Sequence, residues 1–102
     1  RSWMRAIYAA ETPVGFVMTH EEPENGAYYV WRFMIDGRFQ GHGFGRRAMD
    51  LLLDRIRATP KAKTVTLDVV RSPGGAEGFY RRLGFDFTGT VHHGEHEMRL
   101  EL

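Results

Sequence analysis

Residues 28–45 read YYVWRFMIDGRFQGHGFG, and this stretch carries most of the information about the fold. Its first part, Tyr28–Ile35, is almost entirely β-branched or aromatic, with Arg32 as its only charge. Such a run is typical of a central strand that is covered on both faces, here extending over Ala27–Asp36. Its second part is rich in glycine and leads into apolar residues at helical spacing. The stretch therefore predicts a buried strand, a glycine loop and the start of a helix.

The flanking sequence supplies the remaining elements. Alternating apolar residues predict strands, and apolar residues at helical spacing predict helices. Two strands precede the central one as a hairpin (3–9 and 14–18). A helix follows with a stripe of Ala48, Leu51, Leu52, Arg55 and Ile56, and Met49 and Leu53 widen its apolar side. Then come a strand (64–69), a short helix (76–83) that Gly84 ends, and two strands (85–87 and 97–102) joined by a turn at His93-Gly94. We expect both tryptophans and the phenylalanines in the core.

The order β-β-β-α-β-α-β-β predicts one α/β (α+β) domain over residues 1–102. A strand, helix and strand in succession imply a parallel crossover, and hairpins imply antiparallel pairs. The predicted sheet is therefore mixed and mostly antiparallel, with helices flanking it.

Composition excludes several classes of protein. The 102 residues are 42% hydrophobic, and 14 Lys+Arg against 13 Asp+Glu give a net charge of +1. This balance argues against a disordered chain and gives no support to nucleic-acid binding, which usually needs a basic excess. No apolar run approaches the ~20 residues of a membrane span. Since there is no cysteine, disulfides and thiol nucleophiles are excluded, and we expect a cytoplasmic protein.

The glycine loop Gln40–Gly45 lies where a helix begins. A helix N-terminus presents unpaired N–H groups and the positive end of the helix dipole, so it can hold phosphate oxygens. Three common phosphate motifs do not fit. Gly45 is followed by Arg46-Arg47 rather than by the Lys-Ser/Thr of a Walker loop, and the spacing is not the Gly-x-Gly-x-x-Gly of a dinucleotide-binding loop. A kinase-type glycine loop joins two strands, whereas this loop leads into a helix. A glycine-rich turn without a ligand is the alternative.

The pattern Gln40-x-x-Gly43-x-Gly45 resembles the acetyl-CoA pyrophosphate loop of the GNAT superfamily of N-acetyltransferases. Downstream, Ala76-x-x-Phe79-Tyr80-Arg81-Arg82-Leu83-Gly84-Phe85 is similar to the second motif of that family. Residues 31–36, WRFMID, resemble the bacterial spermine/spermidine acetyltransferase branch. Members of the family usually begin with a further strand and two helices, so we expect this chain to be an N-terminally incomplete GNAT fold.

The resemblance implies that the domain binds acetyl-CoA or coenzyme A. The end of the central strand would pair with the pantetheine arm, and the glycine loop would hold the pyrophosphate. The cofactor-binding residues implied in this way are Phe33, Met34, Ile35, Gln40, Gly41, His42, Gly43, Phe44, Gly45 and Arg46. The resemblance also implies that Tyr80 is the catalytic proton donor, since a phenol with a pKa of about 10 is protonated near neutrality. The alternative is a packing aromatic beside Phe79. Where many members carry an Asn, this chain has Pro73.

Other chemistry-bearing residues give weaker signals. No general base is evident, because the central strand offers only Arg32 and the terminal Asp36. Three acidic residues in a predicted loop could attract a cationic amine, although a solvated loop is the plainer interpretation (Glu21, Glu22 and Glu24). Three histidines near the last turn lack the pattern of a metal site, and we expect none (His92, His93 and His96).

We therefore predict an N-acetyltransferase that moves an acetyl group from acetyl-CoA to a primary amine of a small molecule, such as a polyamine. The alternative is a non-catalytic coenzyme A-binding or dimer-forming fragment of a GNAT domain. We also expect a homodimer, because an incomplete sheet leaves an unpaired edge. Apolar surface from Trp3, Phe85 and Phe87 would add to that tendency.

Overall fold

The computed structural model describes residues 1–102 and contains the predicted elements in the predicted order. The strands are β1 (Ser2–Ala9), β2 (Thr12–Glu22), β3 (Ala27–Ile35), β4 (Thr64–Val70), β5 (Asp86–His92) and β6 (Glu95–Glu101). The helices are α1 (Phe44–Arg57) and α2 (Glu77–Arg82), and a 3₁₀ turn at Gly37–Phe39 precedes the glycine loop. The sequence did not indicate that turn, and β2 and β5 extend four residues or more beyond their predicted ends.

The six strands form one mixed sheet in the order β1-β2-β3-β4-β6-β5. Every neighbouring pair is antiparallel except β3 and β4, which α1 connects as a parallel crossover. The predicted mixed and mostly antiparallel sheet is thereby confirmed. The tight turn between β5 and β6 is also where it was expected, with positive φ at His93 and Gly94.

The contact between β3 and β4 is short. Only three residue pairs are in register, from Ala27 opposite Thr64 to Tyr29 opposite Thr66. Beyond Tyr29, β3 continues to Ile35 paired with β2 alone, while β4 continues to Val70 paired with β6. The two central strands therefore diverge and leave a wedge in the middle of the sheet.

The core lies between the sheet and one layer made by both helices. Buried side chains of β4, α1 and α2 form a single apolar cluster with β3 and β6. The face of α1 that enters this cluster consists of Met49, Leu52, Leu53 and Ile56. The predicted stripe was wrong at Leu51, which is 68% exposed. Because residues 51, 52 and 53 are all leucine, apolar spacing alone did not show which of them face the core.

The aromatic residues are less uniformly buried than expected. Trp31 is 48% exposed, so the prediction that it is a core residue and that β3 is covered on both faces was wrong. Phe85 is fully buried, and Trp3 and Phe87 are half-buried. The guanidinium of Arg55 lies 3.8 Å from the centre of the Trp3 ring, and that of Arg71 lies 4.4 Å from the centre of Phe87. The expected apolar surface from these three aromatics is therefore largely covered.

Glu21 is not part of a solvated loop, which corrects the interpretation of the acidic run. It belongs to β2 and is 2% exposed. Its carboxylate accepts two hydrogen bonds from Arg55 of α1, at 2.7 and 2.9 Å, and one from the Thr19 hydroxyl at 2.8 Å. This buried pair ties α1 to the sheet.

Candidate functional site

The glycine loop turns the chain from β3 into α1 through two left-handed residues. Gly41 and Gly43 both have φ of +80°, and a Cβ atom added to either would meet nothing within 4 Å. Gly43 is the N-cap of α1 and provides no side-chain cap. The first helical hydrogen bond runs from the Arg47 N–H to the Gly43 carbonyl. The N–H groups of the first turn are therefore left for a ligand, with open space beside them.

This helix start forms one wall of a cleft of about 440 Å³. The opposite wall comes from α2, through Phe79 and Arg82. The side chain of Arg46 lies at the rim, 3.3 Å from Asp50. The cleft is lined by Ile35, Phe39, Gln40, Gly41, Gly43, Phe44, Gly45, Arg46, Phe79 and Arg82. Since this lining has two arginines and no acidic residue, the cleft suits an anion.

Two predicted loop residues hold the loop in shape. The Gln40 side-chain amide donates to the Ile35 carbonyl at 2.9 Å, which fastens the loop to the end of β3. His42 turns back onto the loop, with Nδ1 3.0 Å from the Gln40 carbonyl oxygen, and its ring stacks on Phe44. His42 does not line the cleft.

A second cavity, of about 350 Å³, opens where β3 and β4 diverge. The register between β2 and β3 shifts here, so that Met18 faces Arg32 and Thr19 faces Val30. Trp31 is left without a partner, which is the mark of a β-bulge. The cavity is lined by Val30, Trp31, Arg32, Phe33, Met34, Leu67, Asp68 and Tyr80. In the wedge, the backbone of β3 has no strand on its β4 side and can pair with an extended ligand.

Tyr80 reaches this second cavity from α2. Its ring packs edge-on against Phe79 and Phe85 and is 9% exposed. Burial raises the pKa of the Tyr80 phenol above its ordinary value of 10. The hydroxyl is therefore protonated at neutral pH, as a proton donor must be.

The two cavities adjoin. Phe79 lines the cleft and its neighbour Tyr80 lines the wedge, while on β3 Phe33 lines the wedge and Ile35 lines the cleft. The rings of Phe33 and Phe79 stack with centres 6.2 Å apart. The arrangement fits an elongated ligand with an anionic group at the helix start and an extended arm in the wedge, which is the shape of a coenzyme A thioester.

Residues 1–85 match the model of the Acetyltransferase (GNAT) family. The chain belongs to this family. Its members use acetyl-CoA, so the cofactor and the enzyme class implied by the two motifs are those of the family. Neither helix of this GNAT domain has the length and apolar character needed to span a lipid bilayer.

Curated relatives point to one branch of the family. This GNAT domain is 33% identical to the spermine/spermidine N(1)-acetyltransferase of Bacillus subtilis strain 168, over 94% of the chain and 68% of the relative. It is 32% identical over the same shares to the probable spermine N(1)-acetyltransferase of Bacillus subtilis subsp. natto. The resemblance to the bacterial spermine/spermidine branch is thereby confirmed.

Solved structures share the fold at lower identity. The PaiA N-acetyltransferase of Thermoplasma acidophilum, solved in complex with coenzyme A, superimposes with a TM-score of 0.85 at 15% identity, over 99% of this chain. An acetyltransferase from Thermus thermophilus gives 0.84 at 18% identity, over the whole chain. This GNAT domain spans 61% and 65% of the lengths of those two proteins.

The structure divides the predicted site residues between the two cavities. Ile35 and all the glycine-loop residues except His42 meet in the cleft, and Phe33 and Met34 meet Tyr80 in the wedge. Sequence reasoning missed Arg82, although it lies within the second motif. Asp68, which lines the wedge, lies at a polar position of β4 that alternation gave no reason to single out. Asp36, the only carboxylate that the central strand offers, receives hydrogen bonds from the side chain and the backbone of Arg38, which lower its pKa.

The three histidines do not form a cluster with other ligands. His96 is half-buried with its ring edge-on to Phe87, and His93 lies in the β5–β6 turn. No group of three or more histidine, aspartate or glutamate side chains in the chain has the arrangement of a metal site.

Proposed function

We propose that this domain transfers the acetyl group of acetyl-CoA to a primary amine of a small cationic molecule. The observation that carries the proposal is the position of Tyr80. It lines the wedge between β3 and β4 next to the cleft at the start of α1. The helix start and the phenol therefore line neighbouring cavities, which supports one elongated ligand that reaches both.

In this proposal the first turn of α1 and Arg82 hold the pyrophosphate, and the free edge of β3 from Phe33 to Ile35 pairs with the pantetheine arm. Acetyl-CoA supplies the activated acyl group. The phenol of Tyr80 donates its proton to the departing thiolate, and burial supports that role because it keeps the group protonated. Gly41 and Gly43 leave space beside the unpaired N–H groups, where a side chain would intrude.

We propose a polyamine as the acceptor. The support comes from the two Bacillus relatives, whose names specify spermine or spermidine. A cytoplasmic location stays a prediction from the cysteine-free composition.

The experiment is an acetyl-transfer assay with the full chain, acetyl-CoA and a panel of polyamines, aminoglycosides, amino acids and peptides. We expect transfer to spermidine or spermine above the rate without protein. Coenzyme A binding by calorimetry is measured in parallel. Binding without transfer to any amine would favour the alternative, a non-catalytic coenzyme A-binding domain. No binding at all would contradict both.

A further inference from the structure

Asp68 is a carboxylate with one oxygen unaccounted for. It lies on β4 between Leu67 and Val69, whose side chains enter the core, so its own side chain is on the sheet face opposite the helices. The Tyr29 hydroxyl donates a hydrogen bond to Asp68 Oδ2 at 2.7 Å. Asp68 Oδ1 is buried and has no hydrogen-bond partner in the protein. Buried polar atoms of this kind are rare, and each calls for an explanation.

The position of Asp68 supplies an explanation. Asp68 and Tyr80 line the same cavity in the wedge. Tyr80 enters it from the helix side, where it packs in the core, and Asp68 enters it from the opposite face. A reacting group in the wedge would therefore have a proton donor on one side and a carboxylate on the other.

Two further carboxylates lie on the same sheet face as Asp68, and the one cation that lines its cavity is Arg32. Across the β4–β6 pair, Asp68 lies opposite Glu97, and Glu95 lies opposite Val70. Burial, the hydrogen bond to Asp68 and the charges of Asp68, Glu95 and Glu97 raise the pKa of Tyr29 to about 12. Tyr29 thus stays a hydrogen-bond donor to Asp68 at any physiological pH. The charged and titratable groups around Asp68 are Tyr29 and Arg32 of β3, His20 of β2, Glu95 and Glu97 of β6, and Tyr80 of α2.

We propose that Asp68 Oδ1 receives the ammonium group of the acceptor and removes one proton from it, with Tyr29 as the residue that positions the carboxylate. This inference rests on the proposed acetyl transfer. It adds a catalytic base and a cation-binding group, which neither motif contains.

The step balances as follows. Ammonium transfers one proton to the Asp68 carboxylate, which gives a neutral amine and a carboxylic acid. The amine nitrogen then bonds to the thioester carbonyl carbon, and the carbon–sulfur bond breaks with its electron pair going to sulfur. Tyr80 gives its proton to that thiolate. The new amide nitrogen loses its extra proton to the Tyr80 phenolate, and Asp68 releases its proton to solvent.

Asp68 is the one carboxylate among the residues that line the wedge cavity. Glu21 is on the core face with three hydrogen bonds, and Asp36 is held by Arg38. Glu97 accepts a hydrogen bond from the Thr88 hydroxyl at 2.9 Å. Asp68 is thus the carboxylate that lines the cavity with an oxygen left over.

The test compares Asp68→Asn with the parent in the full chain, with Glu97→Gln as a matched control on the same face. Asparagine keeps the size and can still accept the Tyr29 hydrogen bond. We expect kcat/KM for spermidine at pH 7 to fall about 10²–10³-fold in Asp68→Asn, the usual range for a lost proton-transfer group. We expect a much smaller fall in kcat/KM for Glu97→Gln. An equal loss in both variants would mean that general negative potential is responsible, and would overturn the assignment.

The pH profile separates a base from a structural role. If the carboxylate takes the proton, the parent uses the ammonium form, and kcat/KM is level with pH from weakly acidic to neutral pH. Asp68→Asn needs free amine, so its kcat/KM should rise tenfold per pH unit up to the amine pKa. A tenfold rise per unit in the parent itself would overturn the proposal, and this measurement does not require the variant to fold.

Binding distinguishes this inference from the proposed function. Calorimetry with spermidine, in the presence of coenzyme A, should show affinity reduced at least about tenfold in Asp68→Asn, because a charge-assisted hydrogen bond is lost. If the parent binds coenzyme A but transfers no acetyl group, the proposed function fails. The spermidine affinities of the parent and Asp68→Asn still test whether Asp68 binds the cation. Equal spermidine affinity in parent and variant would overturn the role of Asp68 whether or not transfer occurs.

Discussion

Individual side chains of this domain acquire their properties from burial combined with a few partners. Burial by itself would raise the pKa of Glu21, but hydrogen bonds from Arg55 and Thr19 and the nearby positive charge hold it below its ordinary value of 4.5. Tyr80 has no such partner, and burial alone raises its pKa. Glu21 is therefore charged and pairs with Arg55 of α1, whereas Tyr80 is neutral and lines a cavity.

We expect Glu21→Gln to lower the free energy of unfolding by about 1–3 kcal/mol, because hydrogen bonds to a charged group are lost in a buried setting. The lowered pKa of Glu21 gives the pH dependence. Its contribution is complete above pH 4.5 and is lost as the pH falls through the folded-state value. The difference between parent and variant, measured by urea unfolding, should shrink below pH 4.5. Glu22→Gln, the same change at an exposed neighbour, is the control, and an equal effect there would contradict the prediction.

We expect Tyr80→Phe to keep the fold and coenzyme A binding but to slow acetyl transfer. Removing one hydroxyl should cost no more than ~1–2 kcal/mol of stability. Loss of a positioned proton donor costs about 10²–10⁴-fold in rate, and we expect the low end because a coenzyme A thiol is a fairly good leaving group. Steady-state transfer across pH is the measurement. Tyr28→Phe, which removes a hydroxyl bonded to Thr59 at 2.8 Å, is the control. Equal rates in Tyr80→Phe and the parent would leave Tyr80 as a packing residue.

At the scale of elements, most of the fold follows from sequence patterns that are local. The order of strands and helices, the parallel crossover and the glycine loop were all predicted, because alternation and helical spacing report which face of a segment is apolar. The errors arise where a local pattern is ambiguous. The continuous apolar run of β3 predicted cover on both faces, but the helices cover one face only and Trp31 is 48% exposed. Glu21 looked like a loop residue because its partner Arg55 is 34 positions away in sequence.

The candidate site likewise contains some residues that local sequence patterns identify and others that depend on contacts distant in sequence. The loop and Tyr80 lie within contiguous motifs, so the sequence identified them. Asp68 is notable only because Tyr29, 39 positions away, occupies one of its oxygens and leaves the other without a partner. Contacts of this kind come from the register between strands, which no single segment encodes.

We expect Gly43→Val to abolish or strongly weaken coenzyme A binding, because its side chain would stand beside the N–H groups of the first turn of α1. Gly43 has φ of +80°, so the variant also pays backbone strain. Gly89→Val is the matched control, since Gly89 has φ of +93° and open space too but lies in β5. Calorimetry with coenzyme A and thermal unfolding are measured on both. Unchanged coenzyme A affinity in Gly43→Val would show that the pyrophosphate binds elsewhere.

At the scale of the whole molecule, the sheet ends in two different edges. β5 is interrupted, because its register with β6 shifts between Phe87 and Val91. β1 pairs with β2 without a break from Ser2 to Ile7, has one register shift between Ile7 and Tyr8, and exposes more than half of Met4 and of Tyr8. Since irregularities protect an edge and long apolar edges invite pairing, β1 is the edge through which association is expected.

We expect the domain to dimerise at micromolar concentration through β1. Light scattering on the full chain should give twice the chain mass, and the double variant Met4→Lys/Tyr8→Lys should give a monomer. Val91→Lys places a single lysine on the other edge, where Val91 is 52% exposed, and should leave the dimer intact. A parent protein that is monomeric and unfolds cooperatively would rule out this association.

The three-pair contact between β3 and β4 makes the sheet two antiparallel blocks, β1-β2-β3 and β4-β6-β5, joined along a narrow seam. Within each block, neighbouring strands are joined by many hydrogen bonds, so the sheet can open locally at the seam with the smallest loss of hydrogen bonds. A ligand that lies in the wedge would contact both blocks and reduce the opening of the seam. Amide hydrogens of residues 30–35 that point away from β2 should therefore exchange rapidly in the free protein and slow markedly with bound coenzyme A. Exchange that is already slow without ligand would mean that the two blocks move as one.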